Sequence, residues 1–249
     1  AFSDVAFYVN APDNPKKRLV RKQETNMGDF VTDAVYYYFN EIEQIKCDMA
    51  IGNGGGIRND LPAGSFSYNS AKKVQPFGNV ICLVELTGQE ILDALEFGAR
   101  NAGVGENGGF LQVAGITYAI DTSVPSAIQT TAEGMWKESP ASYRVKNIQV
   151  YNKEKAAYEP LDLAKRYTVG GINYTLRNMG DGFSMLAHTK LIKDYVSEDY
   201  LMHCAYVKAF AKGEDGKPHV STASSPLKAY KNYLLDYENP NGSGRITIG

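Results

Sequence analysis

Ile51-Gly52-Asn53-Gly54-Gly55-Gly56-Ile57-Arg58 joins an apolar segment to a loop with an amide, three consecutive glycines and a guanidinium. Glycine lets the backbone approach a ligand closely and permits φ above zero. An arginine beside it offers planar, bidentate recognition of a phosphate or carboxylate. The residues before the loop, Met49 to Ile51, read as a short buried strand that delivers it. Taken alone, the stretch fits a glycine-rich turn with a surface arginine equally well. The other loops decide between the two.

Gln75-Pro76-Phe77-Gly78-Asn79 sets an aromatic between proline and glycine, then an amide, just ahead of the apolar run Val80 to Leu86. Gly180-Asp181-Gly182-Phe183 places a second aromatic on a glycine hinge, and Arg21 precedes Asn26, read as the cap of a first helix. Candidate site residues are therefore Arg21, Asn53, Arg58, Phe77, Asn79 and Phe183. Rings, amides and guanidinium groups on loops suit a ligand with a flat base at one end and phosphate at the other. Stacking of a base on an aromatic is worth about 1–3 kcal/mol per ring by truncation. Asp181, between two glycines, reads as a loop-shaping residue whose short side chain bonds nearby backbone.

A chain of 249 residues with 43% hydrophobic and 22% charged residues can bury a sizeable core. The net charge of −2 argues against a dedicated nucleic-acid binder. A local basic cluster, Lys16-Lys17-Arg18 with Arg21 and Lys22, reads mainly as a solvated loop before a helix. Cys47, Cys82 and Cys204 are odd in number and lack metal-ligand spacing, so they describe no disulfide framework. No apolar run approaches the ~20 residues of a membrane span, and no signal peptide is visible. The chain begins at Ala1 rather than Met, as expected of a piece of something longer.

Apolar residues recur at helical spacing from Met27 to Ile42, so Tyr36 to Phe39 read as core rather than ligand contacts. Thr87-Gly88-Gln89-Glu90 is a capping box that opens a helix to about Ala99. Strands are expected at Val80 to Leu86, Ile116 to Ile120, Val145 to Tyr151, Tyr167 to Gly170 and Arg245 to Ile248. Helices are expected after Ser197 and at Pro226, with Ser225 as cap. Strands and helices mix without regular alternation or repeats. The expectation is an α+β fold: one domain over residues 1–249, a mixed β-sheet with flanking helices.

Hydrolysis of a phosphate ester needs metal ions, a strong nucleophile, or both. The three histidines, His188, His203 and His219, are spread apart, with no paired metal-ligand run. Neither a Gly-x-Ser-x-Gly elbow nor a Gly-x-x-x-x-Gly-Lys-Ser/Thr loop is present. No catalytic and no metal residue is therefore expected in this chain. Its residues read as recognising a nucleotide-like molecule rather than cleaving one.

In order along the chain come Glu24-Thr25-Asn26-Met27-Gly28 leading into Thr32-Asp33-Ala34, then Asn53 to Arg58 and Gln75 to Val80. Gly109 to Gly115, Gly180 to Phe183 and Gly244-Arg245-Ile246-Thr247-Ile248 follow. Together they resemble the C-terminal substrate-binding domain of the 5'-nucleotidase family, which includes UDP-sugar hydrolases and 2',3'-cyclic nucleotide phosphodiesterases. The resemblance implies a nucleoside or nucleotide ligand, with Phe77 and Phe183 sandwiching the base. Asn53 and Asn79 would bond sugar or base edge, and Arg21 and Arg58 would grip phosphate. It also implies an N-terminal metallophosphoesterase domain of the same polypeptide, absent here, holding two divalent metal ions, and export to the periplasm, cell wall or outer surface. The activity implied is hydrolysis of nucleoside 5'-phosphates, with the chain inactive alone. The rivals are a cyclic phosphodiesterase, a nucleotide-sugar hydrolase, or a free-standing nucleotide-binding module. Family members carry an acid for the ribose hydroxyls after the second aromatic. Ser184 to Thr189 contains none, and Gly213 to Ser225 is longer than the family pattern.

Overall fold

Successive residues of a strand face opposite sides of its sheet, and Ile81–Thr87 divides its side chains between two cores on that basis. Ile81 and Leu83 join a cluster with Phe30, Val31 and Ala34, while Cys82, Val84 and Leu86 join one with Ile91, Ala94 and Leu95. The computed structural model, which describes residues 1–249, is therefore layered: helix, sheet, helix. The helix on one side is α1 (Asn26–Tyr37), continued by a π-helical turn at Tyr38–Ile42; the helix on the other follows Thr87.

The central sheet contains β1 (Met49–Asn53), β2 (Ile81–Thr87), β3 (Leu111–Ala114), a strand at Arg166–Ile172 and an edge strand at Lys190–Lys193. Its order is edge strand, β2, Arg166–Ile172, β1, β3. Arg166–Ile172 runs parallel to β1, and the other pairs are antiparallel. A second sheet of four strands orders Ala157–Pro160, Val145–Asn152, Ile116–Ile120 and Ile246–Ile248. The α+β expectation holds, and each expected strand is present within two residues. Leu111–Ala114, Lys190–Lys193 and the helix Tyr68–Val74 are additions that the sequence reading missed.

Local chemistry sets the helix ends. The Thr87 hydroxyl accepts from Glu90 N–H, and Glu90 returns the bond to Thr87 N–H at 2.7 Å, as the capping box requires. The cap of α1 is Thr25, one residue earlier than expected, whose hydroxyl takes Gly28 N–H at 3.1 Å. Asn26 instead donates to the Ala6 and Tyr237 carbonyls, fixing the helix to both ends of the chain.

The last segment lies under α1. Arg245 is fully buried and donates to Asp33 at 2.9 Å and to the Leu234 and Val113 carbonyls. Asp33 also accepts from the Tyr233 and Tyr237 hydroxyls, and Glu24 accepts from Gly244 and Ile246 N–H. Two motifs far apart in sequence, Glu24 to Ala34 and Gly244 to Ile248, are thus the halves of one lock. The 213–225 loop has a structural place too: it returns as His219–Val220, which pairs in parallel with Phe2–Ser3 at the N-terminus.

A candidate nucleotide-binding cleft

The parallel pair, β1 and Arg166–Ile172, ends beside one cleft of about 390 Å³. Carboxyl ends of parallel strands favour ligand sites because the loops leaving them diverge. From β1 comes Asn53, and from the other strand come Ile172 and the following Tyr174. The loop after the helix Tyr68–Val74 adds Phe77 and Asn79, the segment before α1 adds Arg21, and the glycine hinge adds Asp181.

The glycine loop does not cradle an anion with its backbone. Gly54 N–H donates to Phe110 O, Gly55 N–H to Gly108 O and Gly56 N–H to Asn53 O, all within the protein. Its glycines answer a packing need: a Cβ on Gly54 would stand 2.2 Å from the Val20 carbonyl oxygen. Packed this closely, the loop holds Arg58 Nη1 against the Gly55 carbonyl at 3.3 Å, with the guanidinium 5.7 Å from the Phe77 ring centre.

Arg18 joins this group. Its Nη2 donates to the Ile57 carbonyl at 2.6 Å, tying it to the same loop. Burial, with the charges of Arg21 and Arg58 added, lowers its guanidinium to about 10. The Nε atoms of Arg18 and Arg21 are buried without a partner, and Arg18, Arg21 and Arg58 form no ion pair. Concentrated positive charge with unused donors suits an anion.

Asn53 is 4% exposed; its Nδ2 donates to Asp181 Oδ2 at 2.7 Å, and its Oδ1 is buried without a partner. Asp181 Oδ1 accepts from the Tyr174 hydroxyl at 3.2 Å. Expected only to shape its loop, Asp181 instead puts a carboxylate into the cleft. Ser184 to Thr189 places no acid there.

Phe183 requires a correction. It is 0% exposed and stands edge-on to Phe97, ring centres 5.1 Å apart, in the core beneath the cleft. The backbone decides this. Met179 and Asp181 adopt φ of +56° and +54°, and Gly182 follows at +94°. That left-handed run turns Asp181 outward and sends residue 183 inward. The second ring in the cleft is Tyr174, 38% exposed, beside the lining ring of Phe77 at 61% exposure. One signal could have found it: Tyr174 follows the end of a strand parallel to β1, just where site residues gather.

Of the six expected residues, Arg21, Asn53, Phe77 and Asn79 line the cleft, Arg58 stands against Phe77, and Phe183 is elsewhere. Arg18, Tyr174 and Asp181 are the additions. His188 does not line the cleft, His203 is wholly buried, and His219 bonds Asp4 and Asp215 at the surface. No group of His, Cys, Asp or Glu is placed to hold a metal ion.

Residues 5–188 match the family described as 5'-nucleotidase, C-terminal domain. The chain belongs to that family. It is 29% identical over 191 residues to a 5'-nucleotidase of Vibrio cholerae, covering 74% of this chain and 28% of that protein. It is 30% identical over 149 residues to the cell wall protein Lmo0130 of Listeria monocytogenes, covering 55% of this chain and 18% of the relative. The solved 5'-nucleotidase precursor from Thermus thermophilus superposes with a TM-score of 0.70 at 28% identity, over 100% of this chain and 39% of its own. This 5'-nucleotidase C-terminal domain thus spans well under half the length of these relatives. No helix is long and apolar enough to cross a membrane.

Proposed function

We propose that this domain, residues 1–249, binds the nucleoside part of a nucleoside 5'-phosphate for a phosphohydrolase whose metal centre lies in a separate N-terminal domain. Phe77 and Tyr174 hold the base. Asn53, Asp181 and Asn79 address the sugar hydroxyls and the base edge, and Arg18, Arg21 and Arg58 hold the phosphate. The observation that carries the reading is the union, in one cleft, of two accessible rings with Arg21, and of Arg58 against one of those rings, neither guanidinium having a carboxylate partner.

The chemistry of this chain ends at recognition and positioning. The arginines neutralise the phosphate and fix its orientation, and the rings remove the base from water. Two divalent ions in the missing domain would supply the activated water. The name of the Listeria relative supports a place outside the cytoplasm.

Calorimetry with adenosine, AMP and inorganic phosphate tests this. AMP should bind the isolated chain more tightly than adenosine or phosphate alone. No phosphate should be released from AMP when divalent cations are added. Equal affinity for AMP and adenosine would remove the arginines from the site, and metal-dependent turnover would place catalysis within these residues.

A further inference from the structure

The helix Asp199–Lys208 begins directly behind the cleft and beyond the family-matched residues. Asp199 N–H donates to the Asn79 carbonyl at 2.8 Å and Ile81 N–H to the Ser197 carbonyl at 2.8 Å. Val80 and Glu198 form an antiparallel bridge between them. Helix start and cleft loop are thus stitched into one unit. From this position Asp199 Oδ2 accepts from Asn79 Nδ2 at 3.4 Å, while Oδ1 takes Tyr200 N–H at 2.8 Å. Asp199 is 1% exposed and forms no ion pair; the Glu198 charge acts on it.

An ionised carboxylate only accepts hydrogen bonds. It therefore holds the NH₂ end of the Asn79 amide and leaves Oδ1, which has no donor in the protein, to the cleft that Asn79 lines. A protonated carboxyl can donate to Oδ1 and present NH₂ instead. We infer that Asp199 is a positioning residue that sets which end of the Asn79 amide meets the ligand. Ionised, it favours a base edge with a donor, such as an exocyclic amine; protonated, it favours a carbonyl edge. The inference rests on the reading that a nucleobase occupies this cleft.

The exchange falls in an accessible range. Burial, with the Glu198 charge added and bonds from Tyr200 and Asn79 opposing, raises the Asp199 carboxyl to about 6. Asp199 is thus ionised above that pH and neutral below it.

Calorimetry on the whole chain with adenosine and inosine, which differ as amine and carbonyl at one ring position, tests the inference between about pH 5 and pH 7.5. The preference for adenosine over inosine should grow roughly five- to tenfold as pH rises through that window, the size of one hydrogen bond gained against one lost. Asp199→Asn and, separately, Asn79→Ala should make the ratio independent of pH. A flat ratio in the native chain, or a pH-dependent ratio in either variant, overturns the inference. If Asp199→Asn does not fold, the native chain and Asn79→Ala decide it. Binding of neither nucleoside would instead sink the nucleobase reading, and this inference with it.

Discussion

Arg245 lies buried against Asp33, and all its nitrogens donate to acceptors inside the protein. Arg18 and Arg58 each give one side-chain hydrogen bond, to the carbonyls of Ile57 and Gly55, and Arg21 gives none. Arg21 lines the cleft, Arg58 stands against its Phe77 and Arg18 is tied to the same loop; none has a carboxylate partner, and two of them keep a buried Nε unused. One side chain thus serves two purposes, told apart by where its donors go. Saturated inside, arginine joins segments of the fold. Left unsaturated beside others of its charge, it keeps donors that an anion could take.

The largest effect should come from breaking the saturated site. Arg245→Met leaves Asp29 and Asp33 buried, both within 4 Å of the missing guanidinium. Removing one partner of a buried ion pair costs about 3–5 kcal/mol. Urea denaturation should show a loss of that size. Arg58→Gln, at the rim, should stay within about 0.5 kcal/mol of the native stability. Equal losses at the two positions would erase the distinction.

The two aromatics around Asp181 give a second contrast. Phe183→Ala empties a fully buried site against Phe97 and should cost about 3–5 kcal/mol of stability. Tyr174→Ala should leave stability nearly intact but weaken adenosine binding by about 1–3 kcal/mol. The reverse pattern would return Phe183 to the cleft. Here the sequence stopped being legible, for a definable reason. The apolar run Val80 to Leu86 and the Thr87–Glu90 box are local, and both were readable. Which side of the Gly180–Gly182 hinge faces the ligand depends on the sign of φ at Met179 and Asp181, which no residue type there dictates. The Arg245–Asp33 lock was recognisable as two motifs but not as a contact, because 212 positions separate its halves.

The smallest effect concerns Arg18, which in the run Lys16-Lys17-Arg18 reads as part of a solvated loop. What sets it apart is its bond to Ile57 O, which buries it beside Arg21 and Arg58; burial first, with their charges added, lowers its guanidinium to about 10. Like charges held together repel, and a bound phosphate relieves that repulsion. Arg18→Gln should therefore lower AMP affinity by about 1 kcal/mol at low salt, less near physiological ionic strength, because the site is partly exposed and screened. Adenosine lacks the phosphate, so its affinity should not change. Titrations with both ligands at two salt concentrations separate the outcomes. A loss common to AMP and adenosine would mean that Arg18 shapes the glycine loop through Ile57 rather than meeting the anion.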